Sequence, residues 1–378
     1  MGETVGHFRT SFLPLTQTFI YQYLTHHERY EPFVCALSSE NRDVFDFEPR
    51  EVFLDLPRWS PRFWVYGSLA KLGIRGIENT YYQRILDRRD PDIVHAHFGP
   101  MGVKLVPHRT NDRQLVTSFY GYDASQLVDS NPEYRTKYEE LFDHGDLFLV
   151  EGPAMREKVV ALGCPKSKLA IQRIAIDTTR IEPRFPQDDG PMQVLMVGRF
   201  VEKKGMPDGI KAFASVFEGK AAELRIVGGE ADEYTREDLG RVAADCNVEN
   251  QVTFTGFLEY DQYLREVRTC DVLLAPSKRA ESGDSEGGAP TVLLEAQASG
   301  KPVVATTHAD IPYVIEDGKT GVLAAPGDIS GLAAALERCV NDRERMARMG
   351  QVGVERMEQR HDVRVLAEQL EERYDGIR

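Results

Sequence analysis

Two cations and two carboxylates in the second half of the chain have the types and spacing needed to hold a diphosphate and a set of hydroxyl groups. Arg199 and Lys204 lie five residues apart in VGRFVEKKG, directly after a predicted strand. An arginine fork and a lysine point charge can neutralise a diphosphate. Glu286 and Glu295 can accept hydrogen bonds from sugar hydroxyls and from a ribose diol, respectively. The combination predicts a nucleotide-sugar site whose fixed cations stabilise the departing diphosphate without a divalent metal ion.

Both glutamates belong to a strand–loop–helix–strand unit, Asp271–Thr306. Its sequence predicts a buried strand (DVLLA), a polar loop, a helix (TVLLEAQAS) and a second strand (VVAT). Pro290 in the first turn, and Gly300 and Pro302 past the end, mark the bounds of the helix. A loop that leaves a strand and enters a helix N-terminus is where open α/β sheets bind anions.

Glycines and one aromatic residue at strand ends extend this predicted site. Gly287 and Gly288 let the loop backbone approach a ligand closely. Gly229 follows another strand, and Phe257, after the next one, could offer an apolar face to a nucleotide base. Glycine turns alone are a weak signal, so these residues support the site without defining it.

In the first half, polar side chains follow two further predicted strands. DIVHAHFG ends one strand with His95 and His97. We expect these histidines on opposite faces, one buried and the other beyond the strand end. Zinc binding is not favoured, because of that separation and because no third ligand is near. Tyr120 ends the next strand, and Asp123 after it can cap a helix or bind a sugar hydroxyl.

Nine apolar segments, most of them followed by a helical pattern, must position these groups. Strands that alternate with helices predict parallel sheets with helices on both faces. A Pro-, Asp- and Gly-rich break at residues 182–191 predicts two Rossmann-like halves with a cleft between them. The predicted strands are Phe33–Leu37, Asp92–His95, Leu115–Phe119, Leu147–Val150, Val194–Val197, Glu223–Val227, Val252–Thr255, Asp271–Ala275 and Val303–Ala305.

Composition narrows the class of protein. The 378 residues suggest two domains, and the net charge of −14 argues against general nucleic-acid binding. The sequence shows neither a membrane-spanning apolar run nor a signal-peptide pattern, and its five scattered cysteines suggest reduced thiols in a cytoplasmic protein. Residues 57–77 carry four basic residues, no acid and both tryptophans. This stretch could rest on the inner face of a membrane or form an amphipathic helix packed on its own sheet.

The motifs resemble those of the retaining glycosyltransferases of family 4, and the N-terminal LTQTFIYQYL and HAHFG resemble its exopolysaccharide and colanic-acid-type members. VGRFVEKKG is similar to the family's phosphate-binding segment and EGGAPTVLLEA to its Glu-x7-Glu segment. The resemblance implies that Arg199 and Lys204 bind the diphosphate and that Glu295 binds ribose. It places Glu286 and the backbone from Gly287 to Thr291 against the transferred sugar and phosphate.

The resemblance also implies the GT-B fold, with two Rossmann-like domains whose parallel sheets face each other across a cleft. Residues 1–185 would form the acceptor-binding domain and residues 192–355 the nucleotide-sugar domain, with a C-terminal helix at 356–378 packing back on the first. Two departures stand out. Eight residues, not seven, separate Glu286 from Glu295, and Tyr120 replaces the histidine thought to assist sugar transfer. His97 is a candidate to compensate.

The resulting hypothesis is a retaining, metal-independent glycosyltransferase of hexosyltransferase type. Its donor would be a nucleotide-diphosphate-sugar, used without another cofactor, and its acceptor a glycan or a lipid-linked acceptor. Glu286, His97 and Tyr120 are the catalytic candidates. Three alternatives remain open: a nucleotide-sugar epimerase of the same fold, a sugar-binding protein without chemistry, and a catalytically silent partner subunit.

Overall fold

The chain divides into two compact units, which the computed structural model describes over residues 2–14, 17–41, 44–53, 76–186, 190–231 and 233–378. The first unit comprises Met1–Glu151, Arg156–Ala175 and Val363–Arg378. The second comprises Gly152–Met155 and Ile176–Asp362.

A seven-stranded parallel sheet forms the centre of the first unit, in the order β3-β2-β1-β4-β5-β6-β7. The order reverses between β1 and β4, as in a Rossmann fold. The strands are β1 Glu3–Phe12, β2 Tyr30–Ser39, β3 Arg50–Val52, β4 Ile93–His97, β5 Gln114–Phe119, β6 Leu147–Val150 and β7 Leu169–Ile171. The helices that precede the second sheet are α1 Thr18–Thr25, α2 Gly76–Arg89, α3 Gly99–Leu105, α4 Gln126–Ser130, α5 Glu133–His144 and α6 Pro153–Ala161.

A six-stranded parallel sheet forms the centre of the second unit, in the order β10-β9-β8-β11-β12-β13. Its strands are β8 Met192–Val197, β9 Ala222–Val227, β10 Val252–Gly256, β11 Val272–Ala275, β12 Val303–Thr306 and β13 Gly321–Ala324. Its helices are α7 Met206–Phe217, α8 Arg236–Asp245, α9 Tyr260–Thr269, α10 Thr291–Ala298, α11 Ile311–Val314, α12 Ile329–Val340 and α13 Arg343–Arg360.

Burial on both faces explains why the strands read as unbroken apolar runs. In the second sheet, Leu195 pairs with Arg225 on one side and with Leu273 on the other, and Leu195 and Leu273 are fully buried. Helices cover both faces of such a sheet, so no polar alternation is needed. All nine predicted strands are present, and the predicted α/β class with two Rossmann-like parallel sheets is confirmed.

The C-terminal segment joins the first unit later than the sequence predicted. Helix α13 remains in the second unit, where Met357 is fully buried and lies against Gln297. Only α14, Val363–Asp375, belongs to the first unit, where the Leu366 carbonyl accepts a hydrogen bond of 2.9 Å from the Gln172 amide. The main segment of the first unit also ends at residue 175 rather than 185. The next residue, Ile176, already belongs to the second unit, where its amide donates a hydrogen bond to the His361 carbonyl.

The stretch predicted to contact a membrane, residues 57–77, lies outside the described residues apart from the backbone at the start of α2. Among the helices that the structure describes, none is both long enough and apolar enough to cross a bilayer.

Candidate functional site

The predicted phosphate-binding residues lie at the carboxyl ends of β8 and β11, the neighbouring strands at which the order of the second sheet reverses. Arg199 follows β8 directly, and Lys204 ends a short 3-10 turn before α7. Gly205 makes this approach possible: its φ is +62°, and a Cβ there would lie 2.0 Å from the Pro276 carbonyl oxygen. A topological switch point of this kind is where open α/β sheets bind ligands.

Lys204 forms an ion pair with Glu286, with 2.8 Å between Nζ and Oε1. The Ser277 hydroxyl donates to the same carboxylate oxygen at 2.9 Å. Burial alone would raise the pKa of Glu286, but the charges of Lys204 and Lys203 hold it below its ordinary value. Glu286 is therefore a buried carboxylate kept ionised by the cation that was predicted to bind phosphate.

The two other cations of this loop differ from each other. Lys203 forms an ion pair of 2.9 Å with Asp284, so it fixes the loop. The Arg199 side chain is exposed and makes no hydrogen bond or ion pair with any residue that the structure describes. Arg199 is thus available to a ligand, whereas Lys204 is already partly neutralised.

The N-terminus of α10 completes the positive surface. Pro290 precedes the helix and provides no side-chain cap. Within the described part of the chain, the backbone amides of Gly287, Gly288, Thr291 and Val292 donate to no partner. Lys204, Ser277, Pro290 and Val292 line one small pocket, which brings the lysine and the start of the helix together. Unbonded amides at a helix start, next to a lysine, form a site suited to an anion.

The extra residue between the two glutamates is accommodated in the loop. Helix α10 is a regular α-helix from Thr291, with Glu295 in its second turn, while Glu286 retains its ion pair with Lys204. The added residue therefore lies within residues 287–290 and displaces neither carboxylate from its element.

Glu295 is buried, with 4% of its surface exposed, and two tyrosines occupy its carboxylate. The Tyr260 hydroxyl donates to Oε1 at 3.0 Å, and the Tyr263 hydroxyl donates to Oε2. Burial raises the pKa of Glu295 to about 7, although both hydrogen bonds oppose the rise. A ribose diol would have to join or replace these tyrosines. Neither tyrosine was predicted, although their spacing of three residues on α9 places them on one face.

Gly229 and Phe257 lie together at the ends of β9 and β10. The Phe257 ring is 66% exposed. A Cβ on Gly229 would come within 2.3 Å of that ring, so the glycine makes room for it. An exposed aromatic face at this edge of the sheet is suited to stacking with a base.

In the first unit, the expectation that His95 and His97 point to opposite faces is wrong. Residues two apart on a strand share a face, and these two rings stack with centroids 4.4 Å apart. Both are buried, at 3% and 2% exposure. His7 on the adjacent β1 joins them, so the expectation that no third ligand is near is also wrong: one ring nitrogen from each of the three histidines lies within 4.8 Å of the others.

The geometry of this triplet is that of a hydrogen-bonded network. Both ring nitrogens of each of the three histidines lie within hydrogen-bonding distance of a partner. His7 Nδ1 and His97 Nε2 are 2.9 Å apart, a direct hydrogen bond. A zinc ion would need to come between nitrogens that already bond each other.

A small pocket in the first unit, which we call the first unit's pocket, is lined by residues that include Phe19, Tyr120, Glu151 and Arg173. Tyr120 lies between this pocket and His97. Its hydroxyl lies 2.7 Å from His97 Nδ1, and its partly exposed ring lines the pocket, which His97 does not. Asp123 holds this loop: one carboxylate oxygen accepts from the Tyr120 and Gly121 amides, the other from the Gly99 amide. Burial raises the pKa of Asp123 to about 6. The helical turn at Tyr122–Ala124 and α4 have no side-chain cap, so the prediction that Asp123 caps the next helix is wrong. Asp123 instead binds the first amide of α3, the preceding helix.

Comparison with known families places this geometry in context. The family model "Glycosyl transferases group 1" matches residues 177–356, and the model "Glycosyltransferase Family 4" matches residues 25–180. The first match includes all six strands of the second sheet, and the second match includes every strand of the first sheet except β1.

Among curated proteins, the chain is 34% identical over 250 residues to a putative colanic acid biosynthesis glycosyltransferase, WcaL, of Salmonella typhimurium. This match covers 65% of the chain and 60% of WcaL. The amylovoran biosynthesis glycosyltransferase AmsK of Erwinia amylovora is 33% identical, over 65% of the chain and 61% of AmsK. The chain therefore spans about three fifths of the length of these relatives.

Two solved structures share the fold over nearly the whole chain. Sucrose-phosphate synthase from Thermosynechococcus elongatus superimposes with a TM-score of 0.78 at 17% identity, over 99% of this chain and 98% of that one. HepE from Anabaena, in complex with UDP-glucose, gives 0.78 at 19% identity, over 99% of each chain. The chain has the GT-B fold, and its two units match the models of the group 1 and the family 4 glycosyltransferases.

Proposed function

We propose that the protein is a glycosyltransferase that moves a sugar from a nucleotide-diphosphate-sugar to a glycan or a lipid-linked acceptor in polysaccharide synthesis. One observation supports this most strongly: the Lys204–Glu286 ion pair lies beside amides at the start of α10 that donate to no described residue. A nucleotide-sugar has a diphosphate for the cation and the amides, and hydroxyls for the carboxylate.

Within this proposal, the second unit binds the donor and stabilises the leaving group. Arg199 and Lys204 take the diphosphate oxygens, and the helix amides add fixed positive charge where negative charge grows in the transition state. Glu286 holds Lys204 through Oε1, while its Oε2 accepts no bond from a described residue and can receive a sugar hydroxyl. Each of these groups is in place before the donor binds.

The same groups support transfer without a divalent cation and with retention of the anomeric configuration. Two cations and the helix N-terminus supply the charge that a metal ion would otherwise contribute at the diphosphate. No side chain is assigned as a covalent nucleophile, so we propose front-side displacement. In that step the bond to the leaving phosphate breaks, the acceptor oxygen bonds to the same face of the sugar, and the phosphate takes the acceptor proton.

The remaining site residues are proposed to hold the nucleoside. Glu295 would receive ribose hydroxyls, and Phe257, above Gly229, would stack on the base. The UDP-glucose bound by HepE supports a nucleotide-sugar donor and hexosyl transfer. The names of WcaL and AmsK support an exopolysaccharide product. The first unit, with Tyr120 at its pocket, would then receive the acceptor.

Transfer assays on the full chain test the proposal. Labelled nucleotide-sugars are incubated with glycan and lipid-linked acceptors, with and without a chelator, and the product anomer is assigned by NMR. We expect an acceptor-dependent product of retained configuration, unaffected by the chelator and strongly reduced in Glu286→Gln. Donor conversion without any acceptor would instead indicate an epimerase. Donor binding with no transfer to any acceptor would indicate a silent partner subunit.

We also propose a cytoplasmic location with peripheral contact at the inner face of the membrane through residues 57–77. The four basic residues and two tryptophans of this stretch support contact with anionic lipid. Co-sedimentation with vesicles tests it: binding should rise with the fraction of anionic lipid, and equal partition to neutral vesicles would remove the idea.

A further inference from the structure

A continuous run of hydrogen bonds in the first unit joins a buried carboxylate to Tyr120. Glu371 Oε1, on α14, lies 3.1 Å from His27 Nδ1. His27 Nε2 lies 3.1 Å from His7 Nε2, and His7 Nδ1 lies 2.9 Å from His97 Nε2. His97 Nδ1 then lies 2.7 Å from the Tyr120 hydroxyl. We call the three middle residues, His27, His7 and His97, the histidine chain.

The carboxylate end of this run is ionised. Glu371 is only 2% exposed, and its Oε1 accepts from the backbone amides of Glu28 at 2.9 Å and Arg29 at 3.1 Å. The Arg29 guanidinium donates to Oε2 at 3.2 Å. Burial would raise the pKa of Glu371, but the bonds from His27 and these amides lower it to about 2. Glu371 can therefore only accept a hydrogen bond, and His27 Nδ1–H is the donor.

This acceptor fixes the direction of each bond that follows. A neutral imidazole has one donor nitrogen and one acceptor nitrogen. Because His27 donates from Nδ1, its Nε2 accepts from His7. His7 Nδ1 must then accept from His97 Nε2, which leaves His97 Nδ1 as an acceptor. Within the described part of the chain, the donor that lies within hydrogen-bonding distance of His97 Nδ1 is the Tyr120 hydroxyl.

Two members of the histidine chain, His7 and His97, are held neutral. Burial first, and then the neighbouring histidines, keep the pKa values of His7 and His97 well below the ordinary value. An extra proton on His27 would reverse every bond beyond it, so the assignment applies to the neutral chain. Among the described residues, the titratable and charged groups around the run are His95, Tyr374, Tyr23, Arg9, Arg29 and Glu151.

We propose that Glu371, through the histidine chain, orients the Tyr120 hydroxyl to donate inward and to present a lone pair to the first unit's pocket, beside the contact that its oxygen makes with Ser118. Tyr120 lines this pocket together with Ser118 and Glu151. An oxygen that offers lone pairs selects a ligand group that donates a hydrogen bond, such as a sugar hydroxyl, and not a phosphate oxygen. The identity of that ligand rests on the proposed function; the orientation does not.

Two other interpretations of the same residues are weaker. A relay that delivers the Tyr120 proton to Glu371 would have to protonate a carboxyl whose pKa is about 2, which opposes net transfer. A metal centre at His7, His95 and His97 would have to break the His7–His97 bond and those of His95 with Tyr374 and Ser118. Orientation requires neither change.

Side-chain ¹⁵N–¹H correlation spectra of the labelled full chain, without ligand at pH 8, test the proposal. We expect His27 as the Nδ1–H tautomer and both His7 and His97 as Nε2–H tautomers, with the exposed His144 as the reference for an unconstrained ring. His7 or His97 as Nδ1–H, His27 as a cation, or a shift of His7 and His97 with one equivalent of Zn²⁺ would each overturn it.

Variants at the two ends show which end sets the direction. Glu371→Leu should turn His7 and His97 into tautomer mixtures, whereas Glu371→Gln should restore them, because the Glu28 and Arg29 amides hold its carbonyl oxygen toward His27. Tyr120→Phe should leave the tautomers of His27 and His7 unchanged. This variant still tests the proposal if Glu371→Leu does not fold. Tautomers that change in Tyr120→Phe, or that stay fixed in a folded Glu371→Leu, would contradict the proposal. No substrate is used, so the result is separate from any failure of transferase activity.

Discussion

The two sheets have similar strand topologies, but their carboxyl edges carry chemically different groups. In the second unit, Arg199 is exposed, Lys204 is paired to Glu286, and the amides at the start of α10 are unbonded to any described residue. In the first unit, the corresponding edge carries buried, neutral imidazoles and a tyrosine. One edge offers positive charge, and the other offers an oriented hydroxyl.

This difference suits two kinds of ligand. A diphosphate is best held by cations and amides that are not fully engaged by other protein groups, because charge-assisted hydrogen bonds are stronger than neutral ones. A neutral sugar hydroxyl needs direction more than charge, and direction comes from a network in which every group is satisfied. We call the carboxyl edges of the first and second sheets the first edge and the second edge. We therefore expect mutations at the second edge to affect catalysis strongly, and those at the first edge to affect acceptor use moderately.

The largest expected effect is at Lys204. Lys204→Ala should lower kcat/KM for transfer by about 100- to 1,000-fold, by analogy with removal of one preorganised donor from an oxyanion site. Steady-state transfer kinetics measure it. Lys211→Ala, which removes an exposed lysine from α7, is the matched control and should behave as the unmodified protein. An unchanged kcat/KM in Lys204→Ala would contradict the role of the second edge in stabilising the diphosphate.

A second effect concerns Glu295 and pH. Its pKa is raised to about 7 in the folded protein, from an ordinary value of 4.5. The folded state therefore holds a proton that the unfolded state has lost, and stability falls as pH rises from about 4.5 to 7. The loss is on the order of 3 kcal/mol. Glu295→Gln should remove this dependence, so its thermal midpoint should exceed that of the unmodified protein at pH 8 but not at pH 5. Equal differences at the two pH values would contradict the assignment.

The same residue links pH to the donor. A ribose diol that donates to the Glu295 carboxylate favours its ionised form, so a nucleoside diphosphate should release protons on binding near pH 7. Calorimetry in buffers of different ionisation enthalpy measures this release. Binding without proton release would indicate that the ribose does not contact Glu295.

A smaller effect is expected at Phe257. Phe257→Ala should weaken donor binding about tenfold, because stacking on one base contributes on the order of 1–3 kcal/mol. Titration with the nucleoside diphosphate measures the change. Val352→Ala removes another exposed apolar side chain, on α13, and should leave the affinity unaltered. Equal affinities for Phe257→Ala and the unmodified protein would place the base elsewhere.

The smallest effect is expected at the first edge. Tyr120→Phe should raise the KM for the acceptor about fivefold, since one neutral hydrogen bond contributes about 1 kcal/mol. The KM for the donor should stay the same. Tyr122→Phe changes a half-exposed tyrosine two residues away and is the control. A thousandfold fall in kcat for Tyr120→Phe would show that the first edge affects catalysis as strongly as the second, and would contradict the difference proposed between them.

The second edge could be predicted from the sequence because its groups are local. Arg199 and Lys204 are five residues apart, and Glu286 precedes the helix that carries Glu295. The apolar runs around them mark strands that helices cover on both faces, so the loops between them were placed correctly. What the sequence could not indicate was the state of the side chains, such as the tyrosines that bond Glu295.

The first edge could not be predicted for the opposite reason. Its network joins residues 7, 27, 97, 120 and 371, which only the fold brings together. Strand β1 carries His7 and Arg9 among its apolar residues, so it lacks the unbroken apolar run that indicated the other central strands. Without β1, the third histidine had no place in the sheet.

The central claim is that the second unit holds a diphosphate by Arg199, Lys204 and the start of α10. The thermal midpoint, measured with a nucleoside, its monophosphate and its diphosphate, tests it most directly, since a ligand of the native state raises that midpoint. We predict the largest rise with the diphosphate, and the loss of that advantage in Arg199→Ala and Lys204→Ala. Equal rises with the nucleoside and the diphosphate, or an advantage that survives both substitutions, would contradict it.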